Sequence, residues 1–317
     1  MKNILVIAPN YIGDSVLAIP FLRELKKHVG RCNIDVVTKN IGLLMYKNCP
    51  YVRSVYNLKK LNLLEMRAKK YDKAYVLKRS FSAAFLCFKL GIKETIGFGG
   101  QFRELFIKNI VKYDKAEQKH ELSHFMDVLK DDYVEINSEA LEFYVTEDAL
   151  SNIEKHLGTN KKALIVAKSS TYVKDWEIEK FSKVVDYLIS NGYEIYFAGL
   201  ESEKEYCSDI IINSKDGYVK NLCGKLRFDE VIALVSKMDL VFGVDSGFCH
   251  VASAFNKNVV TLFGPTSVKQ WQPINSRVIS LNMNCSPCDN PKKCKNNLAC
   301  MKDISSDMVI DVLKEVL

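Results

Sequence analysis

The sequence predicts an α/β protein built from two successive Rossmann-like halves. Short apolar, β-rich runs alternate with amphipathic stretches of helical spacing, the pattern of βαβ units around parallel sheets. The alternation opens at residue 4 and starts afresh at residue 163. The length, 317 residues, suits two domains at about 100–200 residues each.

In the first half, Ile4–Ala8 reads as a buried strand. Leu22, Leu25 and Val29 then mark one helix face, with Pro20 at the start of the helix body. Strands follow at Ile34–Val37, Ser54–Tyr56 and Lys73–Leu77, and helices at Leu61–Lys70, Phe81–Leu90 and His120–Leu129. In the second half the strands are Ala163–Ala167, Tyr193–Ala198, Leu240–Val244 and Val259–Phe263. The helices there are Trp176–Asn191 with Gly192 as its stop, Glu203–Asn213, Phe228–Lys237 and Cys249–Phe255. The boundary falls near Ser151–Lys161.

Composition narrows the class. Hydrophobic residues make up 48 % and charged residues 26 %, which excludes disordered, collagen-like and coiled-coil chains. No apolar run approaches the ~18 residues of a membrane span. The apolar core before Pro9 is too short for a signal peptide, so the chain is expected to be cytoplasmic. Forty-five Lys and Arg against 38 Asp and Glu leave a formal charge of +7. That balance suits an anionic small molecule, an anionic membrane surface or weak nucleic-acid attraction, and does not choose among them.

Ligands of open parallel sheets bind beyond the carboxyl ends of the strands, so four loops matter. Pro9-Asn10-Tyr11-Ile12-Gly13-Asp14-Ser15 offers Gly13 for close backbone approach. It also offers Asp14, as a general base or as a helix N-cap; from the loop alone the cap is favoured. Lys168-Ser169-Ser170-Thr171-Tyr172-Val173-Lys174 brings hydroxyls and two lysines that can grip a diphosphate or simply form a polar capping loop. It is no Walker loop, having no Gly-Lys-Ser/Thr ending. Asp245-Ser246-Gly247-Phe248-Cys249-His250 reads as a helix start open to an anion or as a plain cap, with His250 structural or catalytic. Gly264-Pro265-Thr266-Ser267 is a turn with two hydroxyls. Together the four loops suggest a nucleotide-type ligand.

Tyr11-Ile12-Gly13-Asp14, Lys174-Asp175-Trp176, Asp245-Ser246-Gly247 with His250, and Leu262-Phe263-Gly264-Pro265-Thr266 resemble the family 9 glycosyltransferases. These are the ADP-heptose:lipopolysaccharide heptosyltransferases. The resemblance runs in order from residue 3 to about residue 313. The stretches from Lys70 to Phe81 and Gly97–Asn109 are most similar to the heptosyltransferase II branch, which adds the second heptose of the inner core.

That resemblance implies a GT-B glycosyltransferase fold, two Rossmann-like domains facing across a cleft. Residues 1–155 would bind the acceptor and 156–303 the nucleotide sugar, while 304–317 would form a helix packing back towards the N-terminal domain. It implies an inverting transfer from ADP-heptose to the first heptose of heptosyl-Kdo2-lipid A. Asp14 matches the family's base, Lys174 its diphosphate lysine and Ser169 and Ser170 a hydroxyl pair beside it. Asp245, Ser246, Gly247 and His250 match the donor-binding helix start, and Thr266 joins the donor side. Gly13, Lys78, Arg79 and Arg103 are assigned to the acceptor side, the last three as the basic residues nearest a strand end or family segment. No cofactor is expected to be required, no nucleic acid is expected as a partner, and the enzyme would lie peripherally at the inner face of the cytoplasmic membrane. The competing readings are heptosyltransferase I, a family 9 enzyme using another nucleotide sugar, a GT-B-shaped epimerase and a non-catalytic nucleotide-binding module.

Ten cysteines divide into two groups. Cys32, Cys49, Cys87, Cys207, Cys223 and Cys249 are scattered and read as buried and reduced. Cys285, Cys288, Cys294 and Cys300 are crowded and could hold a structural zinc. Only the first pair has knuckle spacing, which favours reduced thiols or oxidised pairs.

Overall fold

A computed structural model describes residues 1–288 and 294–317. Residues 289–293, inside the cysteine-rich insert, lie outside the described residues. The chain divides into two compact units, Met1–Tyr144 and Val145–Leu317, each an α/β sandwich around a six-stranded sheet. Parallel strands covered on both faces must be apolar along their length, and these are: the last four residues of β1 (Lys2–Ile7) are fully buried, as is all of β10 (Leu240–Val244).

The first unit runs β1, α1 (Ile12–Val29), β2 (Cys32–Thr38), α2 (Gly42–Met45), β3 (Ser54–Asn57), α3 (Leu63–Ala68) and β4 (Lys73–Val76). It continues through α4 (Phe81–Leu90), β5 (Glu94–Phe98), β6 (Asn109–Val111) and α5 (Glu121–Asp131). Its strands pair in parallel in the order β3-β2-β1-β4-β5-β6. The second unit runs α6 (Glu147–Glu154), β7 (Lys161–Val166), α7 (Ile178–Ser190), β8 (Tyr193–Phe197), α8 (Lys204–Ile212), β9 (Val219–Asn221), α9 (Phe228–Ser236) and β10. It ends with α10 (Gly247–Ala254), β11 (Asn258–Leu262), α11 (Val268–Trp271), β12 (Arg277–Ile279), α12 (Ala299–Lys302) and α13 (Ser306–Val316). Its order, β12-β11-β10-β7-β8-β9, repeats the first sheet read from the other edge.

Both sheets therefore reverse direction at one place, between β1 and β4 and between β7 and β10. Close approach at the second reversal depends on Gly243, where an added Cβ would lie 2.2 Å from the carbonyl oxygen of Val166. The last stretch of the first unit is bound to α1 by a buried polar clamp. Arg23 donates to the Ser138 and Ala140 carbonyls at 2.6 and 2.8 Å and to Glu142 at 2.8 Å. Its neighbour Glu24 accepts from Arg23 at 2.8 Å and from the Asn137 amide at 2.9 Å. Burial would raise the Glu24 carboxyl, but the bonds from Arg23 and Asn137 and the nearby Lys27 hold it down at about 2.

Two expectations change. Pro20 lies inside α1 rather than at its head. The helix tolerates it although proline supplies no amide proton to the preceding turn, because both flanks are held in the core. The break between units comes before the sequence-based residue 155, since Ala149 and Ile153 of α6 pack with Ala233 of α9. The C-terminal helix spends its apolar face on the second unit: Val309 and Leu313 join the cluster around Trp176, Phe181 and Phe242. Trp176 also donates its indole N–H to the Ile304 carbonyl at 3.0 Å. Leu313→Ala should therefore destabilise the second unit by about 2–5 kcal/mol. Differential scanning calorimetry checks this, the expected result being a lower melting temperature for that unit's transition.

Candidate active site

The β1 and β4 exits bring together the first group of side chains. Asp14 is the third residue of α1, whose N-cap is Tyr11 and carries no side-chain cap bond, so the capping role expected from the loop alone is not the one Asp14 fills. Gly13 sits beside it in the first turn. Lys78, just past β4, donates its ammonium to the Asn10 side-chain oxygen. Arg79 forms a 2.8 Å ion pair with Glu121 at the head of α5 and lies 4.1 Å above the Tyr113 ring. His124, one turn along α5, packs its ring against Tyr113 and Phe98.

Asp14 is the group these neighbours tune. Burial raises its carboxyl first and the negative charge of Glu121 adds to that, against the opposing pull of Arg79 and Lys78. The result is a carboxyl pushed up to about 7. Burial, with Lys39 close by, lowers the Lys78 ammonium. Glu121 was not visible as a site residue in the sequence. It opens a helix separated from Asp14 by most of the unit, and its only local signal is that of an ordinary first-turn acid.

Arg103 is placed differently from the other basic residues. It is 6 % exposed and braces its own loop, donating to the Phe98 carbonyl at 3.0 Å, to the Gly99 carbonyl and to Gln101. The sequence shows a cation near a strand end and cannot show that three of its donors already bind its own loop.

The β7 and β10 exits make the second group. Lys174 donates to the Asp245 carboxylate at 2.6 Å, and Thr266, beyond β11, donates to the same oxygen at 2.5 Å. Asp245 is buried and its own amide is bound to the Leu262 carbonyl at 3.0 Å, so β10 and β11 fix the position of the pair. Ser246 precedes Gly247 at the head of α10 in extended conformation without capping it by its side chain. The first turn of that helix therefore presents amides at the same strand end as Lys174. His250 is buried in the same helix. Ser169 donates to the Thr171 carbonyl at 3.2 Å, closing the loop that carries Ser170. Lys168, also at this strand end, is paired with Asp175 at 2.6 Å and sits over the Tyr206 ring.

The cysteine insert packs beside the β11 exit, with the Cys288 amide bound to the Pro265 carbonyl at 2.9 Å. Cys285 is exposed, Cys288 and Cys294 are half-buried and Cys300 is buried. Burial and the other three thiols push Cys300 up to about 11. Among the described residues, no group of three or more His, Cys, Asp or Glu side chains is arranged to hold a metal ion. The six scattered cysteines are all buried.

A cavity of about 450 Å³ lies at the opposite, amino-terminal end of the first sheet, lined in part by Lys2, Asp72, Lys73 and Asp132. It shares no residue with either group.

Two parallel sheets, each with its polar loops at the reversal of strand order, are the two Rossmann-like halves that the GT-B class of glycosyltransferases requires. The sequence profile of glycosyltransferase family 9 (heptosyltransferase) matches residues 63–299, and the chain belongs to that family. It is 26 % identical to lipooligosaccharide heptosyltransferase 2 of Campylobacter jejuni serotype O:2, over 99 % of this chain and 98 % of that one. It is 24 % identical to lipopolysaccharide heptosyltransferase 2 of Escherichia coli K12, over 88 % of each. Its fold matches the structure of E. coli ADP-heptose LPS heptosyltransferase II with a TM-score of 0.83 at 22 % identity, covering 100 % of this chain and 98 % of that one.

A carboxyl whose folded value near 7 exceeds its unfolded 3.8 stabilises the fold below pH 3.8, and that contribution is lost as pH rises through 7. Asp14→Asn removes the penalty of the buried charge. Its melting temperature should exceed that of the parent by a few degrees at pH 8, with the gap shrinking towards pH 4, as read in a pH series of thermal melts.

Proposed function

We propose that this glycosyltransferase moves L-glycero-D-manno-heptose from ADP-heptose to the first heptose of the lipopolysaccharide or lipooligosaccharide inner core, with inversion at the anomeric carbon. The observation that carries the chemistry is Asp14, a carboxyl pushed up to about 7 and set among Lys78, Arg79 and Glu121 at the β1–β4 reversal. A base with that affinity accepts a proton readily at neutral pH and is still substantially ionised there. The names of the relatives support the donor and the acceptor.

In the proposed reaction the acceptor hydroxyl oxygen bonds to the anomeric carbon while its proton passes to Asp14. The bond from that carbon to the ADP oxygen breaks, and ADP leaves with the electron pair. Positive charge develops on the sugar, as in other glycosyl transfers. Negative charge develops on the diphosphate, where Lys174 and the amides at Ser246 and Gly247 would oppose it. Asp245 is itself anionic, so its part is positioning: with Thr266 it fixes the Lys174 ammonium by a 2.6 Å bond. Ser169 and Ser170 supply hydroxyls to the same phosphates. Lys78 and Arg79 meet the anionic groups of the acceptor, whereas Arg103 supports the loop. The acceptor is anchored in a bilayer, which places the work at the inner face of the cytoplasmic membrane. Among the described residues no helix is long and apolar enough to cross a membrane.

ADP release, measured from ADP-heptose with and without heptosyl-Kdo2-lipid A, decides the reading. Release should depend on the acceptor. Asp14→Asn should abolish nearly all of it, and Lys174→Ala should lower the rate about 10²–10³-fold, both with the fold retained. Absence of acceptor-dependent release would overturn the proposal.

The pH profile of kcat/KM should show an acid limb near 7, where Asp14 protonates. Glu121→Gln removes a charge that raises Asp14, so the limb should move to lower pH.

A further inference from the structure

Helix α4 is apolar over most of its circumference. Its ten residues include one hydroxyl, Ser82, and one charge, Lys89, both exposed on one side. The inner face, Ala83, Ala84, Leu86, Cys87 and Leu90, is buried in the core of the first unit. The outer face carries Phe81, Phe85 and Phe88 at helical spacing, with Phe81 and Phe88 exposed at 45 % and 64 %. A helix this apolar is normally buried on most of its surface. The phenylalanine face of α4 is not, although its rings pack against one another. Phe85 stacks on Phe81 at 5.9 Å and on Phe88 at 6.0 Å between ring centroids, and Phe106 packs against all three at 5.1–5.6 Å.

The turn ahead of Phe106 extends the patch. Gln101 and Phe102 adopt left-handed backbone, with φ of 53° and 63°, a conformation that is unfavourable for a phenylalanine. Phe102 and Leu105 stand 76 % and 72 % exposed. The rim is cationic. Lys89 lies 4.8 Å from the Phe85 ring centre, and Lys89, Lys93, Lys108 and Lys112 are exposed, against Glu104 and against Glu94, which pairs with Lys108, a surplus of two positive charges.

We propose that this face docks on an anionic phospholipid bilayer. The rings enter the boundary between headgroups and acyl chains, and the lysines meet lipid phosphates. Charge selects this occupant over a second copy of the chain, since two such faces would set one lysine rim against another. Its use in catalysis rests on the lipid-anchored acceptor proposed above, because α4 begins two residues after Arg79.

The full chain should co-sediment with vesicles of phosphatidylglycerol and phosphatidylethanolamine, but not with phosphatidylcholine vesicles. The binding should weaken with salt. The combined substitution Phe88→Ser, Phe102→Ser and Leu105→Ser alters exposed side chains and should lower vesicle binding about tenfold or more. If it fails to fold, Lys89→Glu with Lys93→Glu serves as the second variant, with loss of binding expected again. On a deacylated, water-soluble acceptor the folded variants should turn over like the parent, and on vesicle-embedded acceptor more slowly. Equal co-sedimentation of parent and variant would overturn the docking face, as would a parent dimer in sedimentation velocity that the variant abolishes. Vesicle binding lost in the variant, with no transfer by the parent on either acceptor, would leave the docking face standing and reject the proposed reaction.

Discussion

The reversal of strand order in each sheet is the constraint on which the rest of the molecule depends. A parallel sheet needs a crossover after every strand, and right-handed crossovers on either side of the first strand carry the chain to opposite faces. The loops after β1 and β4, and after β7 and β10, must part company there and leave a gap that no helix fills. Asn10, Asp14, Lys78 and Arg79 all stem from the first gap, and Lys174, Asp245, Ser246 and Gly247 from the second. The apolar strands give these loops a fixed base, so the polar residues do not have to hold their own backbone in place.

At each gap the charges come with partners, and the partners differ in kind. Lys174 is held by a carboxylate and a hydroxyl, and Arg79 by a carboxylate and an aromatic face. Such pairs keep the cation in place and can share it with an incoming anion. Arg103 and Arg23 also bond to backbone carbonyls of their own unit, and those bonds order chain segments. Arginine provides five donors in a fixed fork, and where carbonyls engage them the residue acts as a brace. Asp14 and Lys78 stand apart because their surroundings oppose the ionised form, and such tension suits a carboxylate to proton transfer near neutral pH.

Much of this was legible in the residues. Strands buried on both faces read as unbroken apolar runs, and α4, β10 and α13 fall where their patterns put them. The strands that escaped notice, β6, β9 and β12, have three residues each, too few for any periodicity. β5 was masked by Thr95 and Gly97, neither of which reads as core. Asp14, Lys174 and Asp245 could be picked out because their loops are short and lie directly after strong strands. Glu121 could not, since only the folded sheet brings α5 beside the β1 exit. The bracing role of Arg103 and the first-turn position of Asp14 likewise follow from hydrogen bonds that exist only in three dimensions.

The indole of Trp176, anchored to the Ile304 carbonyl two residues past Lys174, has a consequence for watching the molecule at work. The chain has two tryptophans, Trp176 and Trp271, and both belong to the second unit. Its ultraviolet emission is therefore the voice of that unit alone. Tyrosine and phenylalanine occur in both units, so in one unlabelled sample it is the second unit that can be followed by itself.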